Sequence, residues 1–141
     1  MRDFGRNDFD DAINDFDERS AEEIYEEYLA KNAKQAEGYI CYYADYVDVM
    51  RELSSAAKDV LTWFTFFSGM NTGRILLQSY VKEEMLRKLN ITSVTFYRAL
   101  GELKERDIVR GKNAKYYINP RYAYKGTTSA RDGFMKVYPR F

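Results

Sequence analysis

The run of residues 80–118 constrains the fold of this chain more than any other part of its sequence. Apolar side chains recur at helical spacing on both sides of Asn90, which predicts one helix over 80–89 and another over 93–106. Two strand-like runs then flank a Gly-bearing, basic turn at 111–114 and predict a β-hairpin. The sequence therefore predicts two helices joined by a short turn, with a hairpin directly after them.

The second helix of this run has two chemically different faces. Its predicted buried face consists of Phe96, Ala99, Leu100 and Leu103. The residues left exposed over its first two turns are Ser93, Val94, Tyr97 and Arg98. Hydroxyl, aromatic and guanidinium groups at the start of a helix that follows a short turn can reach base edges in the major groove. We therefore predict a winged helix-turn-helix in which these four residues contact bases; the alternative is a solvated helix face.

Polar and basic side chains around this helix are predicted to contact the DNA backbone. They are Thr92, Lys104, Arg110, Lys112 and Lys115. Cationic side chains on a hairpin bind phosphates whatever the base sequence, and they make the affinity depend on salt. The alternative is that the charged residues of the hairpin only protect a strand edge against aggregation.

The residues before this run predict more helices, so the chain is expected to be mainly α-helical with a small β-hairpin, an α+β fold. A short strand over 39–43 leads into a helix with Asp45 as its predicted N-cap. Ser54 or Ser55 is expected to cap the next helix. That helix presents an apolar face formed by Val60, Leu61, Phe64 and Phe67. A buried strand is predicted over 75–77.

The charge of the chain is divided between its two halves. Of the 22 basic and 22 acidic side chains, residues 1–60 carry 7 and 16, whereas residues 61–141 carry 15 and 6. The predicted DNA-binding run lies in the basic half. We therefore divide the chain into an acidic extension at 1–37, partly disordered or helical, a winged-helix domain at 38–126 and a basic C-terminal tail at 127–141.

The acidic extension contains one amphipathic helix, predicted over about 21–34. Ser20 and Glu23 form a capping-box pattern at its start. Its apolar strip consists of Ile24, Tyr25, Tyr28 and Leu29. The strip is expected either to dock on the domain or to form a homodimer. The acidic surface either competes with phosphate for the basic DNA-binding face or serves as a solubilising tail.

Rare and absent residue types exclude several classes of function. The chain has no His and one Cys, Cys41, so it cannot assemble an ordinary zinc site, a His-dependent nucleophile or a disulfide framework. Cys41 is expected to be a small buried side chain. The most apolar run, 60–67, is too short to cross a bilayer, and the N-terminus lacks a signal pattern. We expect a cytoplasmic, non-enzymatic protein without catalytic residues, cofactor, metal or membrane partner.

Two segments resemble the plasmid replication-initiator (RepL) proteins and their phage relatives. LNITSVTFYRALGELKERDIV is similar to a pattern that many winged-helix regulators share, whereas YYINPRYAYKG is similar to a strand of this family that ends in Asn-Pro and closes on Lys-Gly. The specific matches are Asn119, Pro120, Lys125 and Gly126, and the resemblance covers residues 39–126, 88 of 141. It implies recognition of a replication origin on double-stranded DNA in a bacterial or phage-infected cell, with recruitment of host replication proteins.

Three functions remain open at this point. The favoured one is sequence-specific binding of double-stranded DNA in plasmid or phage replication initiation. A transcriptional regulator of the same fold, with host transcription proteins as partners, is the second. The third is a protein-interaction module that does not bind DNA and whose acidic arm docks a basic partner.

Overall fold

In the computed structural model, which describes residues 18–32 and 39–141, helices predominate and the strands are short. The elements in chain order are α1 (Ala21–Asn32), β1 (Tyr39–Tyr42), α2 (Ala44–Glu52), α3 (Ser55–Phe67), β2 (Arg74–Leu76), α4 (Ser79–Leu89), α5 (Ser93–Glu105), β3 (Val109–Lys112), β4 (Lys115–Ile118), β5 (Ala123–Gly126), α6 (Thr128–Val137) and a final 3₁₀ helix (Tyr138–Arg140). The prediction of a mainly helical chain is confirmed, and the predicted β-hairpin is part of a small antiparallel sheet. Among the helices of these two ranges, none has both the length and the apolar character needed to cross a membrane.

Within the described residues, the strands form two separate antiparallel sheets. The larger sheet has the order β2-β4-β3, so β4 is central and pairs with β2 on one side and β3 on the other. The smaller sheet pairs β1 with β5, with Cys41 opposite Tyr124. The β3–β4 hairpin therefore shares its sheet with β2, the strand that leads into α4.

Short polar side chains set the starts of the helices that lead to the site. Ser54 accepts a hydrogen bond from the Ala57 amide at 3.2 Å and caps α3. Thr92 caps α5 in the same way, through the Thr95 amide at 3.2 Å. Asn90 ends α4 with a left-handed backbone, φ 55°. The helix boundaries predicted from these residues are therefore confirmed.

The predicted start of α2 is wrong. Its N-cap is Tyr43, whose side chain makes no capping hydrogen bond. Asp45 lies in the first turn of the helix and instead accepts a hydrogen bond from Arg121 Nε at 2.8 Å. A carboxylate in this position still interacts favourably with the positive end of the helix. Cys41, expected to be buried, is only half-buried in the two-stranded sheet.

The main core lies between α3, α5 and the larger sheet. Phe64 is fully buried, and its ring centroid lies 6.4 Å from that of Phe96 and 6.0 Å from that of Tyr116. The buried residues of α5 are Phe96, Ala99, Leu100 and Leu103, as predicted. Burial of a side chain of this size contributes about 1.5–3 kcal/mol to stability. This packing fixes which face of α5 points outward.

Two apolar side chains that were predicted to be inside are exposed. Phe67, in the last turn of α3, is 58% exposed and stacks on Trp63 with ring centroids 4.3 Å apart. Trp63, one turn earlier, takes the buried position instead. Leu76 is 46% exposed because alternate side chains of an edge strand point outward, whereas Ile75 and Leu77 are buried.

A second core joins α1 to α6. Its buried members are Tyr25, Tyr28, Tyr117, Tyr124, Ala130, Phe134, Val137 and Tyr138. Ile24 and Leu29 pack against it at partly buried positions. The apolar strip of α1 is therefore covered by its own chain, and the homodimer prediction loses the surface on which it rested. Residues 1–17, the end of the predicted helix beyond Asn32 and the connector predicted at 35–38 lie outside the described residues.

Residues 127–141 are not a tail, and that prediction is corrected. Thr127 caps α6 by accepting a hydrogen bond from the Ala130 amide at 3.1 Å. The Arg131 guanidinium lies 3.5 Å from the Tyr43 ring centroid, and its Nε donates to the Pro120 carbonyl at 2.8 Å. The sequence suggested a tail because this stretch is basic, but its apolar side chains occur at helical spacing and complete the second core.

Candidate nucleic-acid interface

The connection between α4 and α5 is short, and its backbone is held at both ends. Asn90 donates its amide hydrogen to the Arg87 carbonyl at 3.2 Å, and Ile91 donates to the Leu86 carbonyl at 3.1 Å. Thr92 follows directly as the cap of α5. Because only residues 90–92 lie between the two helices and two of their amides are hydrogen-bonded to α4, the N-terminal end of α5 is held close to the C-terminal end of α4.

The start of α5 carries the side chains predicted to contact bases. Ser93, Val94, Tyr97 and Arg98 are all exposed. Val94 is 67% exposed and Tyr97 is 50% exposed. The first turn contains no acidic residue, so the positive end of the helix is not neutralised there. The structure brings these four side chains together on one exposed face.

Lys82, which the sequence reasoning missed, contacts this face from α4. Its Nζ donates a hydrogen bond to Tyr97 Oη at 3.0 Å and lies 5.1 Å from the centre of the same ring. This hydrogen bond raises the pKa of Lys82 above its ordinary value. The sequence does not show which faces of α4 and α5 contact each other. The only feature that could have pointed to Lys82 was therefore its position as a basic residue in the first turn of α4.

The β3–β4 hairpin ends in a two-residue turn with an exposed basic tip. Asn113 and Ala114 both have positive φ, 55° and 69°, which is the geometry that matches the twist of two strands. Gly111 has φ 124°, and a Cβ there would lie 2.1 Å from the Lys115 carbonyl oxygen. Lys112 and Lys115 stand opposite each other in the last strand pair, and both are exposed. Like charges placed in this way repel, so a phosphate between them would be stabilising.

Arg110, predicted to contact phosphate, is used inside the protein. Its Nε donates to Asp107 Oδ1 at 2.7 Å and its Nη2 donates to Oδ2 at 3.1 Å. Its Nη1 donates to the carbonyl oxygen of Phe141 at 3.0 Å. The hydrogen bonds between Arg110 and Asp107 lower the pKa of the Asp107 carboxyl and raise that of Arg110. The Arg110 guanidinium is therefore engaged within the protein and is not part of the candidate interface.

The other two residues predicted to contact the DNA backbone differ in whether their polar groups are already used inside the protein. Thr92 uses its hydroxyl for the cap of α5 and also donates to Thr95 Oγ1 at 3.0 Å. Lys104 is exposed, and its Nζ lies 5.4 Å from the centre of the Tyr116 ring in β4. Lys104 is two turns after Tyr97, so both side chains lie on the side of α5 that faces the hairpin.

The acidic helix α1 reaches this surface at a single described ion pair. Glu22 Oε2 lies 3.9 Å from Lys115 Nζ, and both side chains are exposed. A cleft of about 400 Å³ separates the start of α1 from the hairpin tip. Its lining includes Ala21, Glu22, Lys112, Asn113, Lys115 and Phe141. The acidic start of α1 and the basic tip of the hairpin are therefore adjacent.

The other carboxylates of the described ranges do not converge on a metal site. No group of three or more Asp, Glu or Cys side chains within residues 18–32 and 39–141 could hold a metal ion. Glu23 accepts a hydrogen bond from the Ser20 amide at 3.0 Å, which is the predicted capping box. Glu102 accepts hydrogen bonds from the backbone and side chain of Ser54, and these lower its pKa.

The residues that carry the resemblance to the initiator family hold the fold together. Asn119 donates its side-chain amide to the Asp107 carbonyl at 2.8 Å and accepts from the Arg121 amide at 3.0 Å. Lys125 Nζ donates to the Phe66 carbonyl at 2.7 Å. Gly126 has φ 153°, a conformation that a residue with a side chain rarely adopts. These positions are structural and lie outside the face of α5.

Comparisons of the chain with protein-family models, with curated proteins and with solved structures gave no match in any of the three.

Proposed function

We propose that this protein is a winged helix-turn-helix protein that binds double-stranded DNA sequence-specifically, with α5 in the major groove and the β3–β4 hairpin on the neighbouring backbone. The observation that carries the proposal is the packing of α5 beside the β3–β4 hairpin. Lys104 Nζ of α5 lies 5.4 Å from the centre of the Tyr116 ring in β4. The exposed start of α5 and the basic tip of the hairpin therefore belong to two elements that lie side by side.

The order of the elements supports the same proposal. A winged helix consists of a helix, a strand, the two helices of the helix-turn-helix and a hairpin whose strands pair with the first strand. The elements α3, β2, α4, α5, β3 and β4 follow this order, and the sheet order β2-β4-β3 joins the hairpin to β2. A helix with its side chains is about 10–12 Å across, which fits a major groove about 12 Å wide.

Within this class we propose a role in plasmid or phage replication initiation, through recognition of an origin and recruitment of host replication proteins. The support is the resemblance at Asn119, Pro120, Lys125 and Gly126. Because Asn119 and Lys125 bind backbone carbonyls and Gly126 adopts a restricted conformation, this resemblance supports a shared fold more directly than a shared DNA sequence. The runner-up is a winged-helix transcriptional regulator.

The first test measures binding of a labelled duplex by fluorescence anisotropy over a range of salt concentrations. We expect binding at low salt and a steep loss of affinity as salt rises, because lysines that contact phosphates release counterions. Failure of the full chain to bind any duplex at low salt would favour the protein-interaction module instead.

A matched pair of variants locates the interface. Arg98→Ala should reduce the difference in affinity between preferred and unrelated duplexes, because a good base contact contributes about 1–3 kcal/mol of discrimination. Arg51→Ala is the control, since Arg51 is an exposed arginine in the last turn of α2, outside the candidate interface. Equal effects of the two substitutions would place the interface elsewhere.

A second experiment separates replication from regulation. DNA fragments from the genome of the source organism are incubated with the protein, and the fragments that bind are sequenced and mapped. Sites clustered as repeats in an origin, or inside the gene for this protein, support initiation. Isolated sites at promoters support the regulator.

A further inference from the structure

The contact between Lys82 and Tyr97 links α4 to the exposed face of α5. Among the basic side chains of α4, Arg87 pairs with Glu84 of the same helix at 3.9 Å, and Lys88 is exposed in the last turn. Lys82 instead reaches across to the neighbouring helix, where its Nζ lies 3.0 Å from Tyr97 Oη. The contact is direct, and it involves one of the four residues predicted to contact bases.

The chemistry of the two groups determines the direction of this hydrogen bond. A lysine ammonium has three donors and no acceptor, so Tyr97 Oη must accept. The hydroxyl proton of Tyr97 therefore stays available for a different partner. Because a charged donor withdraws electron density from the phenol oxygen, the O–H group becomes a stronger donor than in an isolated tyrosine.

The Tyr97 ring is also restricted in orientation. Its centroid lies 5.0 Å from that of the buried Phe96 in an edge-to-face arrangement, and the Lys82 ammonium lies 5.1 Å from its own centre. Phe96 is fully buried, so one side of this arrangement is fixed to the core. The hydroxyl is therefore presented to the surface with a defined position and a defined role as donor.

We propose that Lys82 is a specificity-determining residue, which orients Tyr97 as a hydrogen-bond donor toward a base that presents an acceptor in the major groove. This inference rests on the proposed function. The acceptors of the major groove are purine N7, guanine O6 and thymine O4, whereas the amino groups of cytosine and adenine are donors. Tyr97 accordingly selects a guanine, adenine or thymine edge and discriminates against cytosine at that position.

The competing explanation is that Lys82 only contacts a DNA phosphate. The two explanations predict different changes in affinity and in base-pair discrimination when Lys82 is replaced. Lys82 has two further N–H groups that can bind a phosphate. If phosphate binding were its whole role, its loss would weaken all duplexes equally and flatten the salt dependence. If it orients Tyr97, its loss must also reduce discrimination at one base pair.

The test uses the full chain and a preferred duplex selected from a random pool. Affinities of the wild type, Lys82→Met, Tyr97→Phe and the double variant are measured for this duplex and for duplexes with a single base pair changed. Each single substitution should reduce discrimination at the same base pair by about tenfold. The double variant should lose no more than either single one, because the two groups act as a unit.

Lys88→Met is the matched control, a lysine of the same helix whose side chain is exposed. It should leave discrimination at that base pair unchanged. Replacing the purine of that pair by its 7-deaza analogue, or its thymine by an analogue without O4, should weaken the wild type and leave Tyr97→Phe unaffected.

The outcomes separate this inference from the proposed function. If the wild type binds no duplex at low salt, both proposals fall. If the wild type binds specifically but Lys82→Met changes only the salt dependence, or the two substitutions reduce discrimination additively, only the role of Lys82 is overturned. Equal wild-type affinities for the natural duplex and for these analogue duplexes would also overturn it.

Discussion

Arg110 and Asp107 form a two-point ion pair, with Nε donating to Oδ1 at 2.7 Å and Nη2 donating to Oδ2 at 3.1 Å. The Tyr138 hydroxyl donates to the same carboxylate at 3.0 Å. The pair therefore links the start of the hairpin to the C-terminal 3₁₀ helix. It also explains why a basic residue in a hairpin strand need not contact DNA.

Asp107→Asn should lower the free energy of unfolding by about 1 kcal/mol at pH 7, since hydrogen bonds to charged groups are worth about 1.5–3 kcal/mol and this carboxylate is half-exposed. The pKa of Asp107 is lowered in the folded state, so the stabilisation is present above its unfolded pKa of about 3.9 and is lost as the pH falls through the folded pKa. Urea unfolding should show a gap between wild type and variant at pH 7 that closes toward pH 3. Glu105→Gln, an exposed carboxylate nearby, is the control, and a gap that persists in acid would contradict this account.

Lys112→Ala and Lys115→Ala should each reduce the slope of log affinity against log salt by about 0.9, the value for one phosphate contact. Arg110→Ala should leave this slope unchanged, because its guanidinium already pairs with Asp107. The measurement is the anisotropy titration at several salt concentrations, with folding of each variant checked by thermal unfolding. A reduced slope for Arg110→Ala would return that residue to the interface.

Local patterns in the sequence were sufficient to predict the helices and the hairpin around the site. The buried face of α5, the cap at Thr92 and the break at Asn90 depend on spacing and on backbone preferences within a few residues. The hairpin was also predictable, although its turn is the two-residue Asn113-Ala114 and not the four residues expected. Such features need no knowledge of the rest of the fold.

Contacts between distant residues could not be predicted in the same way. Arg110 was assigned to phosphate because its charge is visible in the sequence, whereas its hydrogen bonds to the C-terminal residues are not. Lys82 was missed because the contact with Tyr97 depends on the angle between α4 and α5. Residues 127–141 looked like a tail because the second core that they complete also needs α1, about 100 residues earlier in the chain.

Glu22→Gln should tighten duplex binding by up to about fivefold at low salt and have no effect at high salt, because an exposed ion pair is weak and screened. The reason is that Glu22 lies 3.9 Å from Lys115 and competes with phosphate for that ammonium. Glu26→Gln, an exposed carboxylate on the same helix, is the control. Equal affinities of the two variants for the duplex would show that Glu22 does not compete with phosphate for Lys115. Deletion of residues 1–37 is a poorer test, since it removes Tyr25 and Tyr28 from the second core.

Tyr28→Phe should destabilise the protein by about 1–3 kcal/mol, because its buried hydroxyl is within 3.0 Å of the carbonyl oxygens of Asn71 and Ala130 and is hydrogen-bonded to the Tyr124 hydroxyl. Burial raises the pKa of Tyr124 to about 12 and that of Tyr28 further, so the unfolded chain ionises first and stability should fall as the pH rises above about 10. Urea unfolding at pH 7 and pH 10.5 measures both effects, with the exposed Tyr39→Phe as control. Unchanged stability of Tyr28→Phe would mean that α1 is not docked on α6 in solution.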